Sequence, residues 1–182
     1  MANCKFEVIG NILKNCQASR GGVKTIYIAS YQDLVKSGNI KLVGKQYEFD
    51  TAYTPLVTEW CKFDLAKQTA SMTSTYNIED NGVKYVTTVL STTLVGIDQA
   101  HSDILDDLIN SDDAIVIVET NAGKHIFLGG EQAATASAST METGTAFGDI
   151  NGYTLEISDE TNGYPMELKK EDFDKVAALD FQ

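Results

Sequence analysis

The sequence predicts a mainly β fold, a β-sandwich or partly closed barrel with one central α-helix. Three observations predict it. Short runs rich in Val, Ile, Thr and Tyr recur between Gly- and Asn-bearing turns, from 23–29 through 153–157. Only one internal stretch, about 97–110, repeats its apolar residues at helical spacing. A long Ser/Thr-rich β-hairpin, about 69–95, is marked by Asp80-Asn81-Gly82 at its centre.

In chain order, 23–29 is a strand entered through Gly21-Gly22, and 39–43 and 46–50 are two short strands about Gly44-Lys45. In the second of these, Tyr47 and Phe49 share a face opposite Glu48. Residues 58–63 form another strand with Trp60 as core anchor, and Pro55 marks the loop before it. Asn-Gly tolerates positive φ at both turn positions, so the hairpin closes on Asn81-Gly82. That register sets Glu79 against Lys84, Ile78 against Tyr85, Thr75 against Thr88 and Thr73 against Leu90. Each arm then runs to about 11–13 residues, roughly twice the usual strand. Ten of the 25 residues from 69 to 93 are Ser or Thr, and apolar side chains fall on both faces. So long an arm is expected to lie on another copy of the chain, and shortening it to leave a folded monomer. In a monomer it would instead be a long edge ribbon.

The helix follows, with Ile97, His101, Ile104, Leu105 and Leu108 on one side and aspartates on the other. Ala114-Ile-Val-Ile-Val is a buried-type strand, and Thr120-Asn-Ala-Gly turns it into the strand 124–128. The small-residue tract 129–148 is an extended loop or an edge strand. The last strand, 153–157, alternates cleanly, and 169–179 is a short C-terminal helix with Phe173, Val176 and Ala177 inward. The chain is thus one β-rich domain, 1–182, with a projecting hairpin 69–95 and a small-residue loop 129–148.

Charge is unevenly placed. Residues 1–67 hold nine Lys/Arg and six Asp/Glu, whereas residues 68–182 hold five and twenty. No Lys or Arg occurs from 85 to 123. Such a surface repels nucleic acid, whose binding rests on neutralising phosphates. It serves solubility, or it docks a basic half on a neighbour's acidic half. No stretch approaches the roughly 18 apolar residues of a membrane span. Residues 1–10 lack the basic-then-apolar layout of a signal peptide, which points to synthesis in a cytoplasm. Cys4, Cys16 and Cys61 are an odd number without a close pair, as reduced thiols are.

No catalytic, cofactor or metal site is expected from the sequence. His101 lies in register with the helix's apolar stripe, as a core or half-buried histidine does, and His125 is the only other histidine. Three scattered Cys and two His lack zinc-ligand spacing. A Cys61–His101 or Cys61–His125 dyad is favoured by nothing in the sequence. From Asp149, Asn151 and Glu160 take the third and twelfth positions of a calcium loop, but Tyr153 stands where the fifth needs an oxygen ligand. These residues are expected to make a tight turn into the strand instead. Asp106-Asp107 and Asp112-Asp113 read as solvated carboxylates. An enzyme is not expected.

Ile115-Val-Ile-Val-Glu-Thr-Asn-Ala-Gly-Lys-His-Ile-Phe-Leu-Gly-Gly, running on to Thr143-Gly-Thr-Ala-Phe-Gly-Asp-Ile-Asn-Gly-Tyr-Thr-Leu, resembles small virion structural proteins of phages that infect Bacteroidetes, crAss-like phages included. An early Cys followed by Gly-Gly and a strand, as in 16–28, and a central Thr/Ser-rich hairpin are similar too. The likeness spans roughly 16–157 and rests on glycine-and-turn patterns. It implies a tail-tube-like or tail-ring subunit, a β-sandwich or barrel with a flanking helix and a long hairpin, assembling into rings whose sheets line a DNA channel. It implies a place in the virion tail. Partners would be copies of itself and other tail or portal proteins, with DNA passing through without specific binding and no membrane. The candidate assembly contacts are Glu79, Asn81, Gly82, Lys84 and Tyr85 on the hairpin and Gly144, Gly148 and Gly152 in the small-residue region. The glycines permit close backbone approach in a subunit contact, or merely a flexible surface loop. A rival class is a non-catalytic β-sandwich binding module of a virion, recognising host-surface carbohydrate or protein through Trp60 and the eight tyrosines. The third is a cysteine-dependent enzyme built on Cys61.

Overall fold

The computed structural model describes residues 20–146 and 148–181, so the expectations for 1–10, Cys4, Cys16 and Phe147 lie outside the described residues. Eleven strands form two open sheets, a sandwich and not a closed barrel. They are β1 (Val23–Ser30), β2 (Ile40–Val43), β3 (Gln46–Phe49), β4 (Trp60–Asp64), β5 (Ala70–Ile78), β6 (Lys84–Val95), β7 (Ala114–Thr120), β8 (His125–Leu128), β9 (Thr135–Glu142), β10 (Gly152–Thr161) and β11 (Met166–Leu168). The α-helices among the described residues are α1 (Gln99–Ser111) and α2 (Lys170–Ala177), and a five-residue helical turn spans Gln32–Lys36. The larger sheet runs β2-β3-β11-β8-β7-β1-β4, and the smaller runs β5-β6-β10-β9. Every pairing is antiparallel except β11 with β3.

The apolar run of β7 explains the layering. Ala114 through Val118 are all buried, because β7 lies inside the larger sheet with both faces covered. Val116 and Val118 face the smaller sheet and meet Leu90, Leu94, Leu155 and Ile157, with Leu105 and Leu108 of α1. Ile115 and Ile117 face the other way, toward Tyr27, Tyr47, Phe127, Trp60 and the α2 residues Phe173 and Val176. Each large buried side chain contributes about 1.5–3 kcal/mol. α1 starts one residue past its cap, Asp98, whose Oδ1 accepts the His101 N–H at 2.8 Å. Ile97 and Ile104 remain exposed, so the buried stripe is narrower than its spacing suggests.

The hairpin differs from expectation in register. Ile78 pairs with Lys84, Asn77 with Tyr85, Thr75 with Thr87 and Met72 with Leu90, one residue off throughout. Only Gly82 adopts positive φ, +85°, while Asn81 does not. The loop is therefore the three-residue kind, a turn followed by a left-handed glycine. Gly82 N–H donates to Glu79 O and Glu79 N–H to Val83 O, both at 2.9 Å, and Asn81 Oδ1 accepts from Val83 N–H at 3.0 Å.

Nor does the hairpin project as a free arm. β10 pairs with β6 from Val86 to Val95, which makes β6 an interior strand whose Val86, Leu90 and Leu94 fill the core. Only its tip extends beyond the sheet, and shortening more than the tip would remove core residues.

Other differences are local. Residues 57–59 form a 3₁₀ turn before β4, and β10 runs on to Thr161. The small-residue tract contains the edge strand β9, followed by a loop. In α2, Ala177 is exposed and Asp172 is buried in its stead. Asp172 Oδ2 accepts the Phe49 N–H at 2.9 Å and its Oδ1 accepts Lys175 Nζ at 2.7 Å, so this carboxylate ties α2 to β3.

Candidate assembly surface

The smaller sheet turns one face to the core and leaves the other uncovered among the described residues. Along β6, Val86, Thr88, Leu90, Thr92 and Leu94 point inward and are buried; Thr87, Val89, Ser91 and Thr93 point outward. Their outward neighbours are Ser71, Thr73 and Thr75 on β5, Thr154, Glu156, Ser158 and Glu160 on β10, and Thr140 and Glu142 on β9. The outward positions hold carboxylates and no Lys or Arg.

Its edges are β5 and β9. Thr93 N–H donates to Thr69 O at 2.9 Å, in phase with the Glu79–Val83 bond, so odd-numbered residues of β5 bond to β6. The N–H and C=O groups of Met72, Ser74 and Tyr76 consequently point off the edge, unpaired by any described strand. Edge strands of monomers are normally blunted by Lys, Pro or bulges. β5 has nine residues with no charge, no Pro and no bulge, whereas β9 has eight with a single charge, Glu142, and a bulge at Ser137. α1 approaches β9, yet Ser137, Ala138 and the whole run from Thr140 to Glu142 stay exposed.

The candidate contacts fall at opposite ends of this sheet. Glu79, Asn81, Gly82, Lys84 and Tyr85 sit at the hairpin tip, where Glu79 Oε1 accepts the Tyr85 hydroxyl at 3.0 Å. That bond raises the Tyr85 hydroxyl pKa. At the other end, the Asp149 carboxylate accepts Thr145 N–H at 2.8 Å, Ala146 N–H at 2.7 Å and the Thr145 hydroxyl at 3.1 Å. These bonds hold its carboxyl below the usual range and fold the loop, the expected turn into β10. Gly144 has φ +64° in that loop, and Gly148 faces open space. Gly152 is buried: a Cβ there would fall 2.0 Å from the Leu94 carbonyl oxygen, so this glycine lets β10 close on β6.

Sequence reasoning missed the apolar groups beside these residues. Tyr164 lies 6.2 Å, ring to ring, from Tyr76, and both are exposed along with Ile78 and Val83. No sequence spacing links Tyr164 to the hairpin; only the length of β10 brings them together. It also misses Asp159, buried at 2% exposure, because the alternation read from the sequence stops at Ile157. Extending the alternation Tyr153, Leu155, Ile157 by one step finds it. Burial pushes the Asp159 carboxyl up to about 6, Glu131 and Glu160 add to the shift, and the Gly129 N–H opposes it.

Cys61 borders a groove of about 440 Å³ between β4 and α1, and burial pushes its thiol pKa up, away from thiolate reactivity. Among the described residues no hydrogen bond joins Cys61 to a histidine. His125 is buried and stacks on Phe173 at 3.8 Å, and burial lowers its pKa. His101 is half-exposed, with Nδ1 2.9 Å from Asp98 Oδ2. Asp113 is not merely solvated, since it accepts the Ser30 hydroxyl at 2.7 Å and the Gln32 N–H at 3.1 Å. Among the described residues no His, Cys, Asp and Glu group is placed to hold a metal, and no helix is long and apolar enough to cross a membrane. The chain matches no protein-family model and no curated protein.

Proposed function

We propose that the protein is a structural subunit of a phage virion that closes with copies of itself into a tail tube or a tail or connector ring around a DNA channel. The observation that carries this is the unblunted edge β5 of the smaller sheet, with the largely exposed edge strand β9 on the opposite side. Four antiparallel strands alternate in direction, so β5 at one edge runs opposite to β9 at the other. Rotation about an axis therefore sets β5 of one copy antiparallel to β9 of the next, a heterologous contact that repeats until it closes. The uncovered face, carrying hydroxyls and carboxylates, suits a channel wall that gives phosphates no sticking point.

Proline at Ser74 tests this. Its N–H points off the edge, so Ser74→Pro removes a donor to the neighbouring copy and no bond to β6. Ser74→Ala is the control, because it loses the same 2.9 Å hydroxyl contact with Thr88 and keeps the N–H. By light scattering and negative stain, Ser74→Ala is expected to form rings and Ser74→Pro to stay monomeric. Rings from folded Ser74→Pro would rule out pairing through β5.

The binding-module reading keeps one observation, the exposed Tyr76–Tyr164 pair. It loses Trp60, which is buried, as are Tyr27, Tyr47 and Tyr153.

A further inference from the structure

Three Asn-Gly pairs occur in the chain, Asn81-Gly82, Asn151-Gly152 and Asn162-Gly163, and all three asparagines are exposed. In such a pair the glycine nitrogen, unhindered by a Cβ, can attack the carbonyl carbon of the asparagine side chain. Hydrogen bonding separates the three. Asn81 Oδ1 accepts the Val83 N–H at 3.0 Å, two residues on, so its side chain lies folded along the Gly82 peptide with Cγ beside the Gly82 nitrogen. The same bond polarises the Cγ carbonyl, and the space where a Gly82 Cβ would stand is open. At Asn162 the side chain turns the other way. Its Nδ2 and its own backbone N–H both donate to Glu131 Oε2, at 2.7 and 3.0 Å, which draws the amide back from the Gly163 nitrogen. Gly152 is locked in the ladder between Val95 and Glu142, with the Leu94 carbonyl where a Cβ would be.

We propose that Asn81 is a self-modifying site, which passes to aspartate and isoaspartate in the folded protein with water as the only co-reactant. The Gly82 nitrogen loses its proton to solvent and bonds Asn81 Cγ; the Cγ–Nδ2 bond breaks and ammonia leaves. Water then opens the cyclic imide at either of its carbonyls and restores the Gly82 N–H. The sum is an amide and water giving a carboxylate and an ammonium ion. The Gly82 N–H must first leave the Glu79 carbonyl, 2.9 Å away, so the folded chain reacts more slowly than the unfolded one. Isoaspartate carries the main chain through Cβ and Cγ, which lengthens the loop and releases the Val83 N–H. Either product sets a new carboxylate beside Glu79 and Asp80. The tip that presents Ile78 and Val83 thus changes with the age of the molecule, whether or not rings form.

The full chain is incubated at mildly alkaline pH, folded and, in parallel, unfolded in guanidinium, and is then cut with trypsin. Peptide 68–84 carries Asn81, peptide 125–169 carries Asn151 and Asn162, and fragmentation in the mass spectrometer reads each conversion. Each folded rate is compared with the same asparagine's unfolded rate. Asn81 is expected to convert in the folded protein, with Asn151 and Asn162 slowed roughly tenfold or more beyond it, the factor that one hydrogen bond to a charged group corresponds to. Glu131→Ala, at an exposed loop position, should bring Asn162 up towards its unfolded rate and leave Asn81 unchanged. A folded protein in which Asn81 does not convert, or in which Asn151 or Asn162 keeps pace with it, would overturn the proposal. An Asn162 that stays slow in Glu131→Ala would overturn the geometric selection behind it.

Discussion

Asp159→Asn should make the protein more stable at neutral pH, by an amount set by one buried carboxylate. Asp159 points into the core side of β10 at 2% exposure, with its Oδ1 lacking a hydrogen-bond partner, and its pKa is pushed from 3.8 up to about 6. A shift of about two units corresponds to roughly 3 kcal/mol of cost for the ionised form. The folded pKa lies above the unfolded value. Below about pH 3.8 both states are protonated and no penalty exists. Between 3.8 and about 6 the unfolded chain ionises first, so stability falls as pH rises; above about 6 the full penalty persists. Asparagine keeps the shape and removes the charge. Its gain should therefore be close to nil at pH 3.5 and grow to on the order of 2–3 kcal/mol at pH 7.5. Urea unfolding of dilute protein followed by Trp60 fluorescence measures this, since Trp60 is the only tryptophan and is buried. A difference between wild type and variant that does not change with pH would refute the reasoning.

Two further predictions concern backbone positions. Gly82→Val forces a β-branched residue to φ +85° and should cost about 1–2 kcal/mol, seen as a lower urea midpoint; an unchanged midpoint would mean that the turn relaxes to another type. Gly129→Ala combines φ +82° with a Cβ 2.6 Å from the Ala114 carbonyl oxygen, where β7 bridges to Ala134, so it should cost more than Gly82→Val in the same assay. Equal or smaller loss would show that the two sheets move apart there freely.

Much of the fold was legible because the chain states it locally. The run 114–118, Tyr47 and Phe49 about Glu48, and the alternation of 153–157 each carry their own periodicity. What failed needed information from elsewhere in the chain. Asn81-Gly82 fits two turn types whose strands differ by one residue, and the choice falls to which β6 face meets Leu155 and Ile157. Six of the eight residues of β9 are Ala, Ser or Thr, whose burial contrast is too weak to show a period. Gly152 looked like a free glycine because nothing local announces the Leu94 carbonyl above it. The exposed apolar group at the hairpin tip was invisible for the same reason, since it is assembled from segments far apart in sequence.

The one parallel pairing sets an order of events during synthesis. Gln46 on β3 pairs with Glu167 on β11, and Phe173 and Val176 of α2 complete the layer that covers Tyr47, Phe49 and Trp60. At about 5–20 residues per second, a ribosome takes roughly 6–24 s to make the intervening chain. For that interval the aromatic side of the larger sheet has no lid. The nascent chain thus spends seconds with a sticky flank, whereas the sheet proposed for assembly is complete once β10 has emerged.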